Sequence, residues 1–164
     1  PGKKLNFMGN EFGQGSEWRA GAELDWWQLS IGWHRGVQTL LRDLNHLYRS
    51  VPALHQLDFS QEGFSWIDCH DADHSILSYL RRARDGAFVV VVLNFTPVPR
   101  HGYQIGVPES GRYREIFNGD SRHYGGSDLG NNVIETRGKS WMGLADSLSI
   151  TLPPLAGVIF RKDS

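Results

Sequence analysis

Apolar residues recur along this chain with two different periods, and the change falls near residue 58. Before it, Val37, Leu40, Leu41, Leu44, Leu47, Tyr48 and Val51 lie on one stripe at helical spacing. Arg35, Gln38, Arg42, Asp43, Asn45, His46 and Arg49 fall mostly off it. The spacing predicts a helix over Trp33 to Ser50, closed by Pro52, because proline disfavours helical backbone at the residue before it. Upstream, Leu5, Phe7 and Met8 read as a short buried strand that stops at Gly9. From Gly9 to Gly32 the pattern is irregular and punctuated by glycine. A stretch of that length without regular structure is usually a functional loop or a disordered one.

After residue 58 the period is two, and turn residues arrive every eight to twelve positions. Strands are expected at 64–68, 75–82, 88–95, 102–107, 112–118, 147–153 and 157–162. "DADH", "ARDG", "TPVPRH", "PESG", "NGDS" and "PPLAG" supply the turns. Strands without interleaved helices predict an antiparallel β-sandwich, whose centre would be the valine-rich run 88–93. Tyr124 to Asp146 is polar and glycine-rich and is expected to form a long excursion. The fold class is therefore mainly β. A sandwich spans 58–164, and a strand–loop–helix segment spans 1–57. Such a segment looks like one slice of a (β/α)8 barrel, and a whole barrel needs roughly 250 residues.

Composition changes this picture little. The 164 residues suffice for one domain with an appendage, and the net charge of −1 lacks the basic footprint of a nucleic-acid binder. The longest apolar run, Ala87 to Leu93, has strand length, so no membrane partner is expected. A single cysteine, Cys69, leaves no internal disulfide and suits a reducing compartment, so a soluble cytoplasmic protein is expected. Six Trp, five Tyr and eight Phe offer flat faces that serve either core packing or stacking on sugar rings.

Three motifs carry less than they suggest. "DCHDADH" (68–74) gathers metal-ligand residue types but lies between two strands and matches no zinc spacing, so no metal is expected. "RGKS" (137–140) ends like a phosphate loop, but Val133 stands where the first glycine is required. "NFT" (94–96) fits a glycosylation acceptor, yet it closes an apolar strand in a chain without a secretion signal.

The stretches "FMGNEFGQGSEW" (7–18), "LDWW" (24–27), "HRGVQTLLRDLNHLYR" (34–49), "PALHQLD" (52–58), "VLNFTPVPRHGY" (92–103), "YREIFNGDSRHYGGS" (113–127) and "SITLPPLA" (149–156) resemble the carboxy-terminal quarter of bacterial 1,4-α-glucan (glycogen) branching enzymes, of the α-amylase superfamily. The resemblance implies that residues 5–8 correspond to the eighth barrel strand, 9–32 to the loop after it and 33–50 to the eighth helix. It also implies retaining transglycosylation, in which an α-1,4 bond is cut and the chain rejoined through an α-1,6 link. That chemistry needs two carboxyl groups. In the family they and a supporting Asp follow earlier strands, so this chain inherits no catalytic residue and is expected to be inactive alone. The expected partners are α-glucan (amylose or glycogen) and the remainder of the barrel, with self-association of the isolated chain and no cofactor.

Within the loop, Asn10, Glu11, Trp18, Leu24, Asp25 and Trp26 are the candidates for glucan contact. Asn10 and Asp25 would bond hydroxyls and Trp26 would pack against sugar faces, whereas Trp18 and Trp26 could instead plug the barrel mouth. Trp66, Tyr124 and Trp141 are the candidates for a second glucan surface on the sandwich. A stand-alone glucan-binding module is the competing reading, although it would need neither the orphan strand nor the helix.

Overall fold

The computed structural model describes residues 2–163, leaving Pro1 and Ser164 outside. Eight antiparallel strands form two facing sheets. They are β1 (Phe64–Asp68), β2 (Ile76–Arg82), β3 (Phe88–Asn94), β4 (Arg100–Val107), β5 (Arg112–Asn118), β6 (Val133–Glu135), β7 (Asp146–Leu152) and β8 (Ala156–Lys162). One sheet runs β1-β2-β3-β8-β5-β6, and the other pairs β4 with β7. The seven expected strands agree with β1–β5, β7 and β8 to within two residues at each end. The eighth, β6, is only three residues long and lies inside the expected excursion, where it pairs with β5.

The valine run is explained by burial on both faces of β3. Val90 and Val92 point into the core between the sheets, with Ile76, Leu80, Ile105, Leu148, Ile150, Val158 and Phe160. Val89 and Val91 point the other way and pack with Val51, Ala53 and Ile159. A strand buried on both faces has no polar alternation to show, so it reads as continuous apolar sequence. Tyr113, fully buried in the inner core, donates its hydroxyl to the Glu109 carbonyl at 2.8 Å, satisfying the one polar atom it brings.

The helix α1 spans Gly32–Ser50, one residue longer than expected, and ends before Pro52, which opens a 3-10 turn at Pro52–Leu54. Its apolar stripe lies on the outer face of the large sheet. Leu47 packs on the Val51–Val89–Val91 cluster, and Leu40 and Leu44 line a groove of about 350 Å³ against Tyr79, Val91 and Phe117. The helix thus folds onto the β domain, as an apolar stripe must when it has a sheet beside it. Val37, on the same stripe, stays 38 % exposed, and Trp33 at its start is 72 % exposed.

The expected strand at residues 5–8 is not formed. The segment carries no ladder, and Leu5, Phe7 and Met8 are 88, 48 and 56 % exposed rather than buried. The reason is physical: a strand is stabilised by a neighbour's backbone, and no strand in the described residues lies beside it.

Two clamps hold α1 in place. At its C-terminal end, the buried Asp58 carboxylate accepts from Tyr48 of α1, from Arg81 of β2 and from Lys4, the last at 3.0 Å. Arg81 also donates to the Gly63 carbonyl at 3.0 Å. Near the helix N-terminus, the excursion docks through a 3-10 turn at Arg122–Tyr124. Tyr124 donates to Asp43 at 3.1 Å, and its carbonyl oxygen lies 2.1 Å from where a Cβ on Gly36 would stand. Gly36 is the one buried residue of α1. Gly36→Ala should therefore destabilise the fold although alanine is the better helix former by about 1 kcal/mol. Hydrogen exchange should show faster exchange across 121–126, while urea unfolding shows a lower midpoint. A raised midpoint would mean that the turn is not docked.

Candidate glucan-facing loop

The segment between residue 7 and α1 is a built loop rather than a disordered one. Gly9 and Gly13, both left-handed (φ 88° and 66°), bracket a 3-10 turn, Asn10–Phe12, and a second 3-10 turn runs over Trp26–Ser30. Phe12 is fully buried and anchors the first turn; its carbonyl meets the His34 ring of α1 at 2.8 Å. Arg35 ties the second turn to the helix, donating to the Leu29 and Ser30 carbonyls at 3.2 and 3.1 Å.

The six expected contact residues are distributed over this frame. Asn10 is exposed on the first turn. Glu11, half-buried, lines a groove of about 320 Å³ with Gln38, Leu41, Arg42, Asn45, His46 and Arg49 of α1. Trp26 packs on Phe12 with ring centroids 5.0 Å apart, and Trp18 meets Phe7 edge-on at 5.6 Å. Each of these two rings therefore has one side committed to the protein, and they are 46 and 38 % exposed. Leu24 is half-buried, and its carbonyl accepts from the Trp26 amide at 2.7 Å.

Asp25 is bonded within the loop itself. Its Oδ2 accepts from Ser16 and, at 3.5 Å, from the Gln28 amide, while its own backbone N–H is bonded by Gln14 at 2.8 Å. Part of that carboxylate holds the loop together. Gln14, Ser16 and buried Gln28 were not among the expected residues; the only trace in the sequence is that amide and hydroxyl side chains sit between closely spaced glycines.

The sequence relatives extend beyond the sandwich. The chain is 68 % identical over 161 residues to a 1,4-alpha-glucan branching enzyme GlgB of Nitrosospira multiformis, covering 98 % of this chain and 22 % of that one. It is 59 % identical to the enzyme of the same name from Rhodospirillum rubrum, covering 99 % of this chain and 22 % of that one. It thus spans about a fifth of the length of these relatives. Among solved structures, the catalytic module of a glycogen-degrading pneumococcal virulence factor, SpuA, superposes with a TM-score of 0.53 at 14 % identity, over 87 % of this chain and 20 % of that one. A Group B Streptococcus pullulanase gives 0.53 at 18 %, over 86 % of this chain and 18 % of that one. Residues 66–163 match the family model described as alpha amylase, C-terminal all-beta domain. The chain belongs to that family.

Elsewhere in this alpha-amylase C-terminal domain, the remaining motifs have structural uses. In the 68–74 hairpin, Asp68 accepts from the His70 amide, and Asp71 is shared by the His74 ring and the Tyr103 hydroxyl, both at 2.7 Å. Burial raises the Asp71 pKa, but these hydrogen bonds outweigh it and leave the group below the usual carboxylate value. Among the described residues, no group of three or more His, Cys, Asp or Glu is placed to hold a metal. Asn94 of "NFT" is buried, donating to the Val98 and Pro153 carbonyls at 2.9 Å, so it pins two loops and is inaccessible as an acceptor. In "RGKS", the Lys139 amide donates to Asp146 at 3.0 Å, in a turn alongside β7.

Of the three sandwich aromatics, Tyr124 is taken up by the α1 clamp and by Phe117, with centroids 6.1 Å apart. Its ring is half-buried, so of the two uses open to it, packing and sugar stacking, the structure shows the packing one. Trp66 is 51 % exposed and stands edge-on to Phe64 and Tyr79 at 4.9 and 5.9 Å. Trp141, 40 % exposed, pairs its backbone with Leu144 in a turn over Gly106.

Proposed function

We propose that the chain is the C-terminal part of a 1,4-α-glucan branching enzyme, which cuts α-1,4-glucan and transfers the freed chain to form α-1,6 branches in glycogen synthesis. The observation that carries the reading is 68 % identity across 98 % of the chain to a relative of that name. In this reading residues 1–57 complete the catalytic barrel, 58–164 form its C-terminal domain, and the whole works in the cytoplasm. Leu5, Phe7, Met8 and Trp33 are exposed apolar residues that the remainder of the barrel would cover. In the isolated chain the same face would favour self-association.

The chemistry requires a carboxylate nucleophile and a second carboxyl as acid then base. Glu11 sits just past the position of the last barrel strand, but one carboxyl cannot do the work of two. The loop's part is recognition: Asn10 and the free side of Asp25 bond glucan hydroxyls, Trp18 and Trp26 offer their outer faces to sugar rings, and Glu11 and Leu24 shape the wall. Incubated with amylose, the purified chain should leave the iodine colour unchanged, while the full-length protein lowers it. Loss of colour caused by the pure chain would overturn the reading.

The second reading, a glucan-binding β module, is favoured by one observation, the exposed Trp66 beside Phe64 and Tyr79. If that surface binds, amylopectin in a native gel should retard the chain, and Trp66→Ala should abolish most of the retardation. Equal mobility with and without glucan would reject it.

A further inference from the structure

We propose that Gln14 is the positioning residue of the glucan-facing loop; the role rests on the reading of that loop given above. All of its relevant contacts lie within residues 9–28, so they do not depend on what covers the exposed faces of this chain. Gln14 uses three groups. Its backbone N–H donates to the Gly9 carbonyl at 2.9 Å, its Nε2 donates to the Ser16 carbonyl at 2.9 Å, and its Oε1 accepts from the Asp25 N–H at 2.8 Å. Ser16 and Gln28 then donate to the Asp25 carboxylate, the second at 3.5 Å.

Gln14 is thus a bridge between two distant parts of the loop. Its backbone N–H closes on Gly9, at the start of the turn that carries Asn10 and Glu11, and its side-chain amide holds Ser16 and Asp25, the latter at the entry to the turn that carries Trp26. Gly9 makes the bridge sterically accessible: a Cβ there would stand 2.8 Å from the Gln14 Cβ, and the backbone at φ 88° disfavours any side chain. Gln14 does not itself touch glucan. It sets the separation between the hydroxyl-bonding group on the first turn and the stacking group on the second. That preorganisation governs how well a rigid polysaccharide is bound.

The test uses the full-length protein with Gln14→Met, which keeps the length of the side chain and removes both amide functions. The expected result is a rise of about fivefold in KM for amylose, the scale of one lost hydrogen bond, with kcat changed less than twofold. The Asp25 amide should lose its protection against hydrogen exchange. Gln14→Glu, which retains an acceptor for that amide but sets a carboxylate oxygen against the Ser16 carbonyl, should recover part of the KM. If Gln14→Met leaves KM and the Asp25 amide unchanged, the bridge is idle and the proposal fails. If KM is unchanged while Trp26→Ala raises it, the loop does bind glucan and only the role of Gln14 is wrong. If neither variant moves KM although the amide is deprotected, the loop does not bind glucan, and both readings fall. A parallel fall in kcat and thermal stability, without rescue by glutamate, would assign Gln14 to general folding and overturn the positioning role.

Discussion

Replacing Asp58 by alanine should cost this fold about 3–5 kcal/mol, the scale for removing one partner of a buried ion pair. Asp58 and Arg81 are each about 95 % buried, and the carboxylate also accepts from Tyr48 and Lys4. Alanine would leave the guanidinium inside the protein with the Gly63 carbonyl as its remaining partner. The same change would cut the tie between the C-terminal end of α1 and β2, so two effects add. Urea unfolding should give a lower midpoint, and exchange should quicken at the α1 C-terminus before it does in the sandwich core. A variant within 1 kcal/mol of the parent would mean that the cluster is peripheral.

The same carboxylate gives the fold an acid limb. Burial raises its pKa, but bonds from Tyr48, Arg81 and Lys4 outweigh that and bring it down from 3.8 to about 2. A depressed carboxylate stabilises the folded state fully above its unfolded pKa. That contribution fades as pH falls through the folded value. It should therefore be intact above about pH 4 and largely gone near pH 2, a change of roughly 2 kcal/mol. Asp58→Asn should flatten this part of the pH profile while keeping the side-chain shape.

Truncating Phe160 to alanine should be as damaging, at about 3–5 kcal/mol, but for a different reason. Phe160 is fully buried on β8, between β3 and β5, where it faces the β4–β7 sheet. The loss would be apolar burial plus the cavity left behind, because strands paired on both sides cannot close over the gap. Its signature should be global: all protected amides of both sheets should lose the same free energy, whereas Asp58→Ala acts first at the helix junction. Equal, uniform effects from both variants would mean that helix and sandwich unfold as one unit.

Much of the sandwich was legible because each strand carried its own signal, a period of two bounded by turn residues. β6 was not, since three residues are too few to show a period. The helix was legible from its stripe, but what it touches was not. Asp43 and Tyr124, or Asp58 and Arg81, meet through tertiary packing that no local pattern encodes. The strand expected at residues 5–8 had the right residue types and lacked a neighbour to pair with. In the loop, the glycine-punctuated pattern showed only an irregular segment, functional or disordered, and gave no sign of the two 3-10 turns on which Asn10 and Trp26 sit. The commitment of Asp25 to Ser16 and Gln28 depends on a fold-back that spacing cannot reveal.

The most direct measurement is the mass of the native protein in its source cells, detected with antibody raised against this 164-residue chain. The expected result is a species several times larger than 18.5 kDa that co-purifies with branching activity on amylose. A native species of 18.5 kDa as the sole carrier of this sequence would contradict it.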